Sequence, residues 1–311
     1  MARKQLVSAA DMFVFGSINM DVITTCERHP AIGETVLGTS VSFHPGGKGA
    51  NQAIAAARCL GECTLFGSVG ADDFGGQMLA FLKENGVDTT NVAIASGSST
   101  GVALITVDQR GDNTIVVTPG ANELAKAPRS FDAVSGRPVV LAQLESPIDE
   151  IARLFAEAQA AGGTTILNPS PYRSLPAELL QSTSIVILNA HEFRQLTGRQ
   201  PAANLQEVTA QLSSADLPLP CCVVITLGQA GAIVAERGRA PIRVAGHKVE
   251  PLNTTGVGDC FAGWFAAELA QGRTLEDAAR RANAAAAISV TRAGAGPSMP
   301  KKTEVETFLC G

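Results

Sequence analysis

From about residue 138 the chain alternates short apolar runs with helix-length stretches, and this pattern constrains the fold more than any other feature. Val139 to Leu144, Thr164 to Leu167, Ile185 to Leu188 and Cys222 to Thr226 read as strands. Ile148 to Ala161, Glu192 to Thr197, Leu205 to Ser213, Asp259 to Gln271 and Leu275 to Val290 read as helices. Strands apolar at consecutive positions must be covered on both faces. The expectation is therefore a doubly wound α/β fold, a mostly parallel sheet with helices on both sides. Ligands of such sheets bind beyond the carboxyl ends of the strands. Polar residues collect there: Asn19 and Asp21 after a buried strand at Phe13 to Ile18, then Gln143 and Glu145, Asn168, Asn189 and Glu192, and Thr226 and Gly228. Their shared position points to a single cleft.

Two earlier stretches differ. Val36 to Phe43, and Val102 to Val107 with Thr114 to Thr118, are β-rich and partly alternating. The second pair is joined by Asp108 to Asn113, a good hairpin turn. They read as a small separate sheet, with Ala50 to Leu60 as a helix. With no repeat and no long linker, residues 1–311 read as one domain. A net charge of −5 without a basic stripe argues against nucleic acid or anionic membrane as partner. No window holds the ~20 apolar residues that cross a bilayer. The seven cysteines have no zinc-site spacing. Together with an N-terminus lacking a secretory apolar core, they predict reduced thiols in a cytoplasmic protein.

Chemistry is concentrated in Asn253-Thr254-Thr255-Gly256-Val257-Gly258-Asp259, which leads into an apolar helix. A helix start behind glycines exposes backbone N–H groups that bind anions, phosphate above all. A carboxylate placed among them is electrostatically awkward unless it takes a proton from a hydroxyl while the amides hold a phosphoryl group. Gly46-Gly47-Lys48-Gly49-Ala50-Asn51-Gln52 opens another helix after a β-rich stretch. It lacks the spacing of a P-loop or a dinucleotide fingerprint, and a glycine turn with a helix cap explains it equally well. Asn19 and Asp21, two apart, share one side of an extended segment and suit a polyol, or form an ordinary strand-end turn. Asn189 and Glu192 fit either a hydrated Mg²⁺ or a capping box. Thr226-Leu227-Gly228-Gln229-Ala230-Gly231 fits a nucleotide-contacting loop or a hairpin turn. Glu145, before Ser146-Pro147, fits a cap of the next helix or a residue that reaches the cleft.

Taken in order, these segments resemble the ribokinase-like carbohydrate kinases from about Phe13 to Phe308. Gly16-Ser17-Ile18-Asn19-Met20-Asp21, Gly120-Ala121-Asn122, Asn168-Pro169-Ser170-Pro171 and Thr291 to Ser298 add to the match. The resemblance implies a β lid, from about 20–45 and 100–118, that covers a sugar and often pairs two copies into a homodimer. It implies sugar contacts from Asn19, Asp21, Gly46, Gly47, Lys48, Asn51 and Glu145. It places Asn189, Asn283 and the Thr226–Gly231 segment along ATP, and Glu192 near Mg²⁺ through water. It makes Asp259 the base and the Gly256, Val257, Gly258 and Asp259 amides an anion hole. A monovalent cation, K⁺, would lie near Asn253, Thr255, Ser289, Arg292, Gly294 and Ser298. The family motif usually begins with Asp where this chain has Asn253, so weaker K⁺ binding is expected. Val257 stands where Ala or Gly is usual. The implied reaction is phosphorylation of the 5-hydroxyl of D-ribose. Kinases of deoxyribose, fructose or adenosine are alternatives, as is a sugar- or nucleotide-binding regulator without catalysis.

Overall fold

The apolar runs become the central strands of the chain, for which a computed structural model describes residues 11–131, 136–199, 210–211, 220 and 222–311. The strands are β1 (Met12–Phe15), β2 (Asn19–Cys26), β3 (Gly38–Gly46), β4 (Cys63–Gly70), β5 (Val87–Asp88), β6 (Val92–Ala95), β7 (Gly101–Val107) and β8 (Asn113–Thr118). They continue with β9 (Val139–Gln143), β10 (Thr164–Asn168), β11 (Ile185–Asn189), β12 (Cys222–Thr226), β13 (Ala232–Glu236) and β14 (Ile242–Val244). The helices are α1 (Lys48–Leu60), α2 (Asp73–Glu84), α3 (Ile148–Ala160), α4 (Ala177–Gln181), α5 (Ala190–Thr197), α6 (Val257–Ala270), α7 (Leu275–Ser289) and α8 (Lys302–Cys310). The helix expected at 205–213 lies outside the described residues, apart from Ala210 and Gln211.

Among the described residues a 10-stranded sheet runs β14-β13-β12-β11-β10-β9-β1-β4-β5, with β6 also paired to β4. From β12 to β4 every pairing is parallel, and β13 and β14 add an antiparallel edge. All five residues of β9 are buried, as a strand covered on both faces requires. α3 shows how one cover forms: Ile151, Leu154, Phe155 and Ala158 fall on one helical stripe and are buried. α6 is apolar on nearly every face and is buried along most of its length. It packs between α1 and α7, where alanines such as Ala53, Ala56, Ala266 and Ala282 allow close approach.

A second, 4-stranded sheet has the order β3-β2-β7-β8. This is the expected small sheet, and it departs from expectation at one joint. The first strand, expected to reach Ile18, ends at Phe15. The Gly16 N–H still donates to the Phe66 carbonyl at 3.0 Å. The Ile18 N–H instead donates to Asn122 Oδ1 at 2.8 Å, and β2 starts at Asn19 in the other sheet. Asn19 and Asp21 are thus lid residues, carried on the strand that leaves the core.

Candidate active site

Two helix starts meet below the small sheet, and each is entered through a glycine at positive φ. Gly47 precedes α1 with φ 90°, and Gly256 precedes α6 with φ 75°. Neither helix start receives a hydrogen bond from the side chain of its own capping residue. At α1 the first amides are nevertheless filled. Lys48 N–H donates to Glu145 Oε2 (3.1 Å), Gly49 N–H to Ser17 Oγ (3.3 Å) and Ala50 N–H to the Ser17 carbonyl (2.9 Å). Ser17 Oγ itself donates to Glu145 Oε2 at 2.5 Å. Glu145 therefore does not cap the helix that follows it, whose start at Pro147 receives no side-chain bond; it reaches the cleft and closes the start of α1 instead.

At α6 the amides are open. The Val257 N–H lies 3.4 Å from the Thr254 carbonyl, and the next amide closed within the protein is that of Cys260, to Gly256. Among the described residues the Gly258 and Asp259 amides meet no protein acceptor. One helix start is thus occupied by the protein's own carboxylate, and its neighbour is free to receive an anion.

Asp259 lies between them, 6% exposed. Asn51 Nδ2 donates to its Oδ2 at 3.1 Å, and Gln52 Nε2 to its Oδ1 at 2.9 Å. Adjacent residues of α1 reach one carboxylate because the helices touch there. A Cβ on Gly263 of α6 would stand 2.4 Å from the Gln52 carbonyl oxygen. Burial raises the Asp259 pKa above the usual carboxylate range; Lys48, Gln52 and Asn51 oppose the rise and Glu145 adds to it. Asp21 is raised to about 7, first by burial and then by Glu145 and Asp259, with Lys48 opposing. The Lys48 ammonium is held charged, chiefly by Asp259 and also by Glu145, Glu192 and Asp21, against the cost of its burial.

Beyond the open amides lies a cavity of about 320 Å³ lined by Thr226, Gly228, Gln229, Gly231, Asn283, Val257 and Gly258. The volume lies within the ~300–1,000 Å³ range of small-molecule sites. The Gly228–Ala230 turn joins antiparallel β12 and β13, so this segment is both the hairpin turn and the cavity wall. Three residues expected along the nucleotide stand outside the lining. Leu227 packs on the apolar cluster around Phe193, Ala230 is exposed, and Asn189 caps α5. Asn189 and Glu192 form a capping box: Glu192 N–H donates to Asn189 Oδ1 (2.8 Å) and Asn189 N–H to Glu192 Oε2 (2.9 Å). Gly246 and His247 also line the cavity, and no sequence signal singled them out.

Of the residues expected around K⁺, Asn253 is tied to the end of α7, its N–H donating to the Val290 carbonyl at 3.1 Å. Asn253 Oδ1 accepts the Thr255 N–H at 2.7 Å. Ser289 Oγ and Ser298 Oγ are buried 2.7 Å apart. The Arg292 side chain turns instead to Glu304.

A sequence model of the pfkB family carbohydrate kinases matches residues 9–302. The chain belongs to the pfkB family of carbohydrate kinases. Among its relatives in this family, the ribokinase of Bacillus subtilis (strain 168) is 38% identical over 299 residues, covering 95% of this chain and 98% of that protein. The ribokinase of Haemophilus influenzae is 35% identical over 299 residues, covering 95% and 97%. The Arabidopsis thaliana ribokinase complexed with ribose and ATP superposes with a TM-score of 0.88 at 30% identity, over 97% of this chain and 99% of that one. The doubly wound sheet with its separate small sheet is this family's fold. Gln143 and Asn168, expected at the strand ends, are buried beside the site, as are Ser17, Gln52 and Asn122, which the motifs contain but to which sequence reasoning gave no role of their own.

Proposed function

We propose that the chain is an ATP-dependent kinase of D-ribose that phosphorylates the 5-hydroxyl, with Asp259 as general base. One observation carries the reading: a buried carboxylate stands where an open helix start meets one that the protein has closed. The names of the relatives supply the sugar and the nucleotide.

Asn19, Asp21, Lys48, Asn51 and Glu145 would grip the sugar, with Gly46 and Gly47 letting the backbone pass close to it. The cleft would then present one hydroxyl to Asp259, which accepts its proton as the oxygen attacks. The amides of Gly256, Gly258 and Asp259, with Val257 partly turned to Thr254, would hold the transferring group as its charge rearranges. Thr226, Gly228, Gln229, Gly231 and Asn283 would seat the nucleotide. Among the described residues no group of three or more His, Cys, Asp or Glu side chains is arranged to hold a metal ion. Mg²⁺ bound by nucleotide phosphates fits this donor set, with Glu192 reaching it through water. When bound, it neutralises phosphate charge. An ATP-consumption screen over pentoses, hexoses and nucleosides is expected to give D-ribose the highest kcat/KM. Preference for another acceptor would overturn the sugar, and consumption with none would favour a binding regulator.

The neutral carbonyl and hydroxyl oxygens of Asn253, Thr255, Ser289 and Ser298, with the backbone at Arg292 and Gly294, suit a weakly held monovalent cation. Asn253 offers a carbonyl oxygen without a charge, so K⁺ is expected to activate at high concentration. Asn253→Asp should lower the half-activating K⁺ concentration about tenfold by adding a nearby charge. Equal half-saturation in both proteins would sink the idea.

The reading includes a homodimer through the lid. Val41, Phe43, Leu104 and Val116 expose 60%, 53%, 51% and 63% of their surface there, and large apolar side chains gathered on one exposed sheet suit a protein interface. Sedimentation at micromolar concentration should give twice the chain mass, and Phe43→Lys should halve it.

A further inference from the structure

We propose that Gln52 is a positioning residue for Asp259, an amide whose orientation is dictated from the strand ends and which sets where the base points and when it ionises. The inference rests on Asp259 as base.

Gln52 is fully buried, and all of its amide is used. Its Nε2 donates to Asp259 Oδ1 at 2.9 Å and to Asn168 Oδ1 at 3.1 Å. Its Oε1 accepts from Gln143 Nε2 at 2.7 Å. Asn168 Nδ2 in turn donates to the Ile187 carbonyl at 3.0 Å. Two ends of this network can only accept: a backbone carbonyl and a carboxylate. The Ile187 carbonyl forces the Asn168 amide to turn its nitrogen outward and its oxygen toward Gln52. Gln52 must then present its nitrogen to both Asn168 and Asp259, and its oxygen to Gln143. No flipped arrangement satisfies both ends.

The network keeps this polarity at a cost. Gln143 Oε1 is buried with no hydrogen-bond partner. It faces Gly16, where a Cβ would come within 2.1 Å of it. A buried polar atom left unpaired is unfavourable, yet turning Gln143 over would set two oxygens against each other at Gln52. Three strands thus contribute: β9 through Gln143, β10 through Asn168 and β11 through the Ile187 carbonyl. They hold one donor against the base on α6. The other groups acting on Asp259 are Lys48, Asn51, Glu145 and Asp21. Lys48 and Asn51 favour its ionised form; the two carboxylates oppose it. Gln52 is the donor among them that is tied through Gln143 and Asn168 to the sheet.

The test is the pH profile of kcat for the full chain, Gln52→Met, Gln52→Glu and Asp259→Asn, with thermal melts of each. Gln52→Met keeps the volume and removes the donor. Its kcat should fall about ten- to a hundredfold, the size expected of a lost hydrogen bond to a charged group. KM for sugar and for ATP should change little. The acid limb should move up by about one pH unit, so that the deficit shrinks as pH rises. Gln52→Glu should move the limb further, since a second carboxyl then competes for the same proton. A uniform loss with the limb unmoved overturns the proposal, and unfolding of both variants assigns the amide to packing and overturns it as well. Retained activity in Asp259→Asn would instead remove the base on which the inference rests. An inactive Asp259→Asn beside unmoved limbs refutes Gln52 alone.

Discussion

Asp259→Asn should lower kcat by about a thousandfold or more, the range that a positioned base contributes, while sugar affinity changes only severalfold. The substitution keeps the shape of the side chain and removes its ability to take a proton. It also turns one nitrogen toward a donor, because both Asp259 oxygens accept from amides, those of Asn51 and Gln52. One of those two bonds must break, so a modest loss of melting temperature is expected beside the loss of rate. The relief of an unfavourable buried charge acts the other way and keeps the fold intact. Stopped assays with ATP and the preferred sugar read the first effect, and calorimetry of sugar binding reads the second. Turnover within tenfold of the parent would remove Asp259 from the chemistry. A parallel loss of sugar binding would make it a binding residue instead.

The second large effect falls on Asp21, in opposite directions for activity and stability. Burial and the neighbouring Glu145 and Asp259 carboxylates raise the Asp21 pKa from its ordinary 3.8 to about 7 in the fold. A raised pKa means that the fold favours the protonated acid. The contribution to stability is fully present below the unfolded pKa and is lost as pH rises through about 7. At pH 8 the sugar-free protein therefore holds an ionised Asp21 near Glu145 and Asp259. A shift of this size corresponds to at most ~4 kcal/mol, reduced by the partial exposure of the side chain. Asp21→Asn should raise the melting temperature of the sugar-free protein by about 3–5 °C at pH 8 and leave it unchanged near pH 4. The same variant should lose about a hundredfold or more in kcat/KM for the sugar, because a carboxylate bonds hydroxyls more strongly than an amide does. A stability gain that persists at pH 4 would mean that the charge is not its cause.

The sequence made the strand ends legible because they combine two strong signals, a continuous apolar run and a polar residue where it stops. Both glycine loops and the lid strands were legible for similar local reasons. The stretch from Cys63 to Ala95 was not. It supplies β4, α2, β5 and β6, but its apolar residues are interrupted by Gly67, Gly70, Gly75 and Gly76, which mask the period. That Asn51 and Gln52 bond Asp259 escaped for another reason. Asn and Gln carry no charge, and Gln52 follows Asn51 by a single step, which on an isolated helix points elsewhere. Gly263 was the available clue, since a glycine inside an apolar helix marks the close approach of another backbone. Asn189 and Glu192 were open to two readings, and the structure realises the capping box.

The switch of the chain from the large sheet to the small one between Phe15 and Asn19 separates two kinds of information. On the proposed reading, Asn19 and Asp21 meet the acceptor from β2 in the small sheet, while Asp259 and the open amides that would transfer the phosphoryl group stay on α6 in the core. Such a division lets one half drift without disabling the other. A lineage could exchange its lid strands and inherit a new diet with its old engine intact.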